Sequence, residues 1–88
     1  MKAVVDVEEK ILAIGGELHS DEEALLLAQG SKQENLWGIN LFTELDLPDM
    51  VEFDSMINIR PRQDNRSRGV ENDILRARIV EIVKDLVK

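Results

Sequence analysis

The chain has 88 residues, 11 Lys+Arg against 18 Asp+Glu, a formal net charge of −7, 43% hydrophobic residues and no Cys. That length suits one domain covering residues 1–88, which buries about 60% of the surface its unfolded chain exposes around a single small core. The missing Cys excludes disulfides, thiolate-bound metals and thiol catalysis, and the negative charge opposes general attraction to nucleic acid or anionic lipid.

Lys2 to Val7 is β-branched and apolar around Asp6, and Lys10 to Ile14 resumes an apolar run after Glu8-Glu9. A hairpin is the first reading, and a helix through Val5 to Ile14 is the competing one. Gly15-Gly16 ends either element. Ser20 followed by Asp21, Glu22 and Glu23 reads as a helix start, with Ser20 as cap and Glu23 closing a capping box. The helix runs to Gln29 and stops at Gly30, and its contiguous Leu25, Leu26 and Leu27 predict a largely buried element.

Leu36 to Phe42 and Val51 to Arg60 read as two strands joined by a turn at Pro48-Asp49. Alternation puts Trp37, Ile39 and Leu41 on one face of the first, opposite Gly38 and Asn40; Trp37 is expected in the core. In the second strand, Val51, Phe53, Ser55, Ile57 and Ile59 share the core face, which leaves Glu52, Asp54, Met56, Asn58 and Arg60 on the wetter one. A polar loop with Pro61 follows. Asn72 or Asp73 then caps a helix to about Val87, with Leu75, Ile79, Ile82, Val83 and Leu86 in one stripe and Arg78, Glu81, Lys84, Asp85 and Lys88 facing solvent. The order ββαββα predicts an α+β two-layer sandwich, an antiparallel sheet with both helices on one face.

Charge is unevenly distributed. Residues 1–59 balance at −10, whereas residues 60–68 carry four Arg against Asp64, a balance of +3. Arg60, Arg62 and Arg66, with Asn58, Gln63 and Asn65, form the candidate ligand-binding set, because guanidinium forks bind carboxylate and phosphate and amides complete such a shell. The alternative role for these arginines is to neutralise nearby acids such as Glu52 and Asp54.

His19, the single His, sits at a helix start, where imidazole stays neutral and acts as base or ligand. It is the candidate catalytic residue, with Asp21 to orient it; a lone His beside carboxylates gives no metal-ligand spacing, so no metal is expected. No nucleophile elbow, phosphate loop or dinucleotide fingerprint occurs, and no motif requires a cofactor. Trp37 and two Phe are too few for a stacking nucleic-acid surface. No apolar run approaches the roughly 18 to 20 residues of a membrane span, and Asp6 interrupts the N-terminus too early for a secretory leader, so a cytoplasmic protein is expected.

The strings Gly15-Gly16-Glu17-Leu18-His19 with Asp21, Gly30-Ser31, Trp37-Gly38, and Ile57-Asn58-Ile59-Arg60-Pro61-Arg62-Gln63 with Asn65-Arg66-Ser67 span most of the chain. In them the chain resembles a family of small uncharacterised prokaryotic proteins, a domain of unknown function. The resemblance implies no reaction; it groups His19 and the Arg loop as one site. Arg68-Gly69-Val70 departs from the family pattern and leaves Arg68 outside that grouping. The leading expectation is a binding module for an anionic small molecule or acidic partner through the Arg loop. The rivals are a small enzyme using His19 as acid or base on a phosphate or carboxylate substrate, and a structural homodimer with Trp37 or Met56 in its interface.

Overall fold

The computed structural model describes residues 1–87. Strands β1 (Lys2–Asp6) and β2 (Ile11–Ile14), helix α1 (His19–Ala28), strands β3 (Leu36–Leu41) and β4 (Val51–Glu52), and helix α2 (Asp73–Val87) follow in that order. The class is α+β, with a four-stranded antiparallel sheet in the order β2-β1-β3-β4.

Of the two readings of residues 2–14, the hairpin is the one that forms, and Asp6 makes its turn. One carboxylate oxygen accepts the Glu8 and Glu9 amides at 2.9 and 3.0 Å, the Asp6 carbonyl accepts the Lys10 amide at 2.9 Å, and Lys10 takes the left-handed conformation at φ 58°. The second oxygen accepts the Ser31 hydroxyl at 2.6 Å. Asp6 is therefore fully buried and still hydrogen-bonded.

Where the two-layer reading put both helices on one face, the structure puts them on opposite faces. Ala3 and Val5 pair across from Ile39 and Trp37, and this face packs with Leu41, Val51 and the α2 residues Ile79, Ile82 and Val83. Val4 and Ala13 face the other way and pack with Leu36 and the α1 residue Leu26. The cause lies in β1: Ala3, Val4 and Val5 are consecutive and fully buried, so both of its faces need a cover.

Several local expectations change. The α1 helix starts at His19 with Leu18 at its N-cap and no side-chain cap, so Ser20 and Glu23 form no capping box; Glu22 instead accepts the Gly16 amide at 3.1 Å. Only one stripe of this ten-residue helix meets the sheet, so Leu26 is buried while Leu25 and Leu27 stay exposed. Its C-terminus closes as a Schellman turn, with Gly30 at φ 103° and the Ser31 amide reaching the Leu26 carbonyl at 3.0 Å.

The strand expected over 51–60 pairs only at Val51 and Glu52, opposite Leu41 and Asn40. The chain then leaves the sheet and makes a short turn of 3₁₀ helix at Met56–Asn58. The face assignment there inverts: Asn58 is fully buried and Ile59 is 39% exposed.

In α2, Asn72 caps the helix by accepting the Leu75 amide at 3.0 Å, and Ile79, Ile82 and Val83 are buried. Leu86, expected in the same stripe, is 54% exposed, one turn beyond the buried Ile82 and Val83; Lys88 lies outside the described residues. Ile79→Ala is expected to cost about 2–5 kcal/mol, a large share of the stability of so small a domain. Leu86→Ala should cost well under half as much. Urea melts of the two variants check this, and equal losses would contradict the packing.

Candidate functional site

The arginine-rich segment folds as a brace along the edge of β3 that β4 leaves uncovered. Asn58 accepts the Gly38 amide at 2.8 Å and donates to the carbonyls of Gly38 and Arg68, each at 2.9 Å. Its side chain thus takes the place a neighbouring strand would fill. Gly38 permits this approach: a Cβ there would lie 2.5 Å from Ser55 Oγ.

Arg60 continues the brace. It donates to the Leu36 carbonyl at 2.7 Å and to the Gln33 carbonyl, and its guanidinium stacks 4.0 Å from the centre of the Trp37 ring. Burial lowers its pKa from the usual value, although an arginine remains charged. Gln63 donates to the Glu34 carbonyl at 2.9 Å. Asn65 donates to the carbonyls of Asn58 and Gly69, both at 2.7 Å, and accepts the Glu71 amide at 2.8 Å. The side chains of Asn58, Arg60, Gln63 and Asn65 are thus all engaged with backbone.

Arg62 and Arg66 are exposed on the surface of the loop. The backbone amides of Arg66 and Ser67 are held at 2.7 and 2.9 Å by Glu71, whose carboxyl these bonds keep below its usual pKa. Trp37 is buried in the core of its own chain, and Met56 is 65% exposed.

His19 lies elsewhere, in a cleft of about 350 Å³ on the α1 face of the sheet, lined on its polar side by Lys2, Ser20, Asn40, Asp54 and Arg68 and on its apolar side by Leu18, Met56 and Ile57. None of Arg60, Arg62 and Arg66 lines this cleft, so the arginine that the fold brings to His19 is Arg68. Arg68 donates to Asp54 at 2.5 Å, which holds the Asp54 carboxyl below its ordinary pKa.

His19 is 8% exposed, and its imidazole Nε2 bonds the Ile39 carbonyl at 2.7 Å. Its orientation is therefore set by β3, and not by Asp21 as the sequence reading had it. A carbonyl only accepts, so Nε2 carries the hydrogen and Nδ1 keeps a lone pair without a protein partner. Burial lowers the His19 pKa, the Ile39 carbonyl partly offsets this, and Lys2 lowers it further. The α1 N-terminus at which it sits also disfavours a second positive charge. Among the described residues, no group of three or more His, Asp or Glu side chains could hold a metal ion.

Lys2, Asn40, Asp54 and Arg68 did not enter the sequence-based site. Alternation carried part of the signal, since Lys2 shares a face with Val4 and its β3 partner is Asn40, opposite the bulky Trp37 face. The contribution of residues 54–57 depends on the chain leaving the sheet after Glu52, which no local pattern marks.

A family model described as protein of unknown function (DUF5674) matches residues 1–86. The chain belongs to that family. No curated protein and no solved structure matches it. For this member of the DUF5674 family, the fold thus places His19 in a cleft with Lys2 and Arg68 while the 58–66 segment braces β3. No helix among its described residues is long and apolar enough to cross a membrane.

A pH prediction follows from the buried imidazole. The folded chain favours neutral His19, so the unfolded chain takes up the extra proton as pH falls below the ordinary value of 6.5. This contribution to stability is complete above that pH and declines below it. Glu22 runs the opposite way: burial raises its pKa from 4.5, so its contribution declines as pH rises from there. An NMR titration should show a His19 midpoint below 6.5, and His19→Gln should flatten the acid-side loss in melts. A midpoint at or above the ordinary value would contradict the assignment.

Proposed function

We propose that the protein is a cytoplasmic binding module for a small anionic molecule, held in the cleft of His19, Lys2 and Arg68. The observation that carries this reading is the cleft itself, in which His19, 8% exposed with Nε2 on the Ile39 carbonyl and no protein partner at Nδ1, lies beside Lys2 and the Asp54-paired Arg68 at the N-terminus of α1. Helix N-termini and Lys or Arg side chains favour anions, and the α1 helix is long enough for its dipole to contribute. The cleft volume lies at the small end of the range for ligand sites. This reading moves the binding site from Arg60, Arg62 and Arg66 to Arg68, because Arg60 is occupied by the β3 edge and Arg62 and Arg66 line no part of this cleft.

The same free Nδ1 favours one second reading, an acid–base enzyme acting on a phosphate or carboxylate compound. Turnover of such a compound that disappears in His19→Gln would select it over simple binding.

Inorganic phosphate, sulfate and short carboxylates should raise the melting temperature against chloride of equal ionic strength. A ligand at ten times its Kd adds about 1.4 kcal/mol to the folded state. Lys2→Ala and Arg68→Ala should abolish the rise, whereas Arg62→Ala and Arg66→Ala should leave it. A rise no larger than that in chloride contradicts anion binding, and a rise lost only in Arg62→Ala places the site on the exposed loop.

A further inference from the structure

Strand β2 forms one edge of the sheet, and the backbone along its outer side is unpaired. Met1 bonds to Leu41 and Val7 to Asn35, in register with the β1–β3 ladder, so by antiparallel alternation the odd-numbered residues of β1 face β3 while Val4 and Asp6 face β2. Their partners Ala13 and Ile11 therefore turn their backbone groups inward, and the amides and carbonyls of Leu12 and Ile14 point out of the sheet. Among the described residues, no hydrogen bond from outside the hairpin reaches residues 11–14. Natural edges are guarded by charges, Pro or very short length. The opposite edge, β4, has only Val51 and Glu52, whereas β2 reads Ile11-Leu12-Ala13-Ile14, without charge or Pro, and leaves Ile11 38% and Ile14 54% exposed.

We propose that the protein self-associates through β2, joining the sheets of both copies about a two-fold axis at Ala13. An axis normal to the sheet keeps like faces together, so only residues pointing to the same face can oppose one another. With Ala13 on the axis, Leu12 meets the partner's Ile14 and Ile14 the partner's Leu12, and each pair exchanges both of its outward hydrogen bonds. This register sets each exposed Ile14 against the partner's Leu12, which already packs on the α2 core, and Ile11 beside the partner's Gly15, where nothing lies within 4 Å of a Cβ position. Lys10 and Glu17, exposed and in no ion pair among the described residues, flank the strand at opposite ends. Antiparallel pairing brings these unlike charges to the same end twice, whereas a parallel copy would set like beside like. The proposal is independent of the His19 cleft.

The test is sedimentation equilibrium with amide hydrogen exchange on the full chain, from micromolar to millimolar concentration. So short an edge makes an interface below the standard size of about 1,200 Å², and the dimer is reversible. It should form as concentration rises, and exchange at the Leu12 and Ile14 amides should slow with it, whereas Ala13, bonded within the hairpin, should be protected throughout. Ile14→Lys, at an exposed position, should weaken association about tenfold or more, because it removes both Leu12–Ile14 pairs and puts a charge in the edge. Ile74→Lys, an exposed change on α2, should leave association unaltered. Lys10→Glu should weaken it, and adding Glu17→Lys should restore it. A chain that stays monomeric up to millimolar concentration overturns the proposal. So does a dimer whose Leu12 and Ile14 amides exchange freely, or one that Ile14→Lys leaves intact, since either places the contact elsewhere. Failure of the charge swap to restore association overturns the antiparallel register.

Discussion

The architecture depends on one buried amide. Strand β3 is central in the sheet, yet β4 covers only the end of it at Asn40 and Leu41. Beyond that point the Gly38 amide and carbonyl would lie in a water-poor edge without partners, at a cost comparable to a lost hydrogen bond for each. Asn58 satisfies both, and its remaining hydrogen reaches the Arg68 carbonyl. One side chain thereby fastens the central strand, the turn at 56–58 and the start of the crossover to α2. Asn65 repeats the device one layer out by tying Asn58, Gly69 and Glu71, and Arg60 extends it to Leu36.

The brace also explains where the cleft lies. Because the chain leaves the sheet after Glu52 and returns to its edge at Asn58, residues 54–57 pass along the α1 side, where they meet His19. The Ser55 amide bonds the Arg68 carbonyl at 2.9 Å, which fixes the backbone that carries Arg68 toward Asp54. The four arginines of one short segment consequently take different parts: Arg60 holds a strand edge and stacks on Trp37, Arg62 and Arg66 face outward, and Arg68 enters the cleft.

Much of this was legible in the sequence wherever an element obeys a single period. The β1–β2 hairpin, the Trp37 face of β3 and the Asn72-capped α2 all appear where alternation or helical spacing put them. The sequence misled where a polar side chain substitutes for backbone. Residues 51–60 alternate as a strand would, but that alternation ends in an asparagine whose amide imitates a strand from within a turn. At α1, Ser20 carries a capping pattern, while the helix begins at His19, whose ring is bonded to β3. Such long-range bonds leave no local period. The apolar run Ala3-Val4-Val5 stood in the sequence, but the ββαββα order was read as helices on one face, and it is the structure that shows this strand covered on both.

The most direct test of the central claim is hydrogen exchange at the Gly38 amide in Asn58→Ala compared with the wild type, read alongside urea melts of both. In that variant the Gly38 amide and carbonyl both lose their partner, while the Arg68 carbonyl keeps the Ser55 amide, so the account predicts loss of protection at Gly38 and a stability decrease of at least about 2 kcal/mol. An unchanged Gly38 protection with a decrease within about 0.5 kcal/mol, the ordinary range for a surface change, would show that β3 does not depend on Asn58 and would contradict the account.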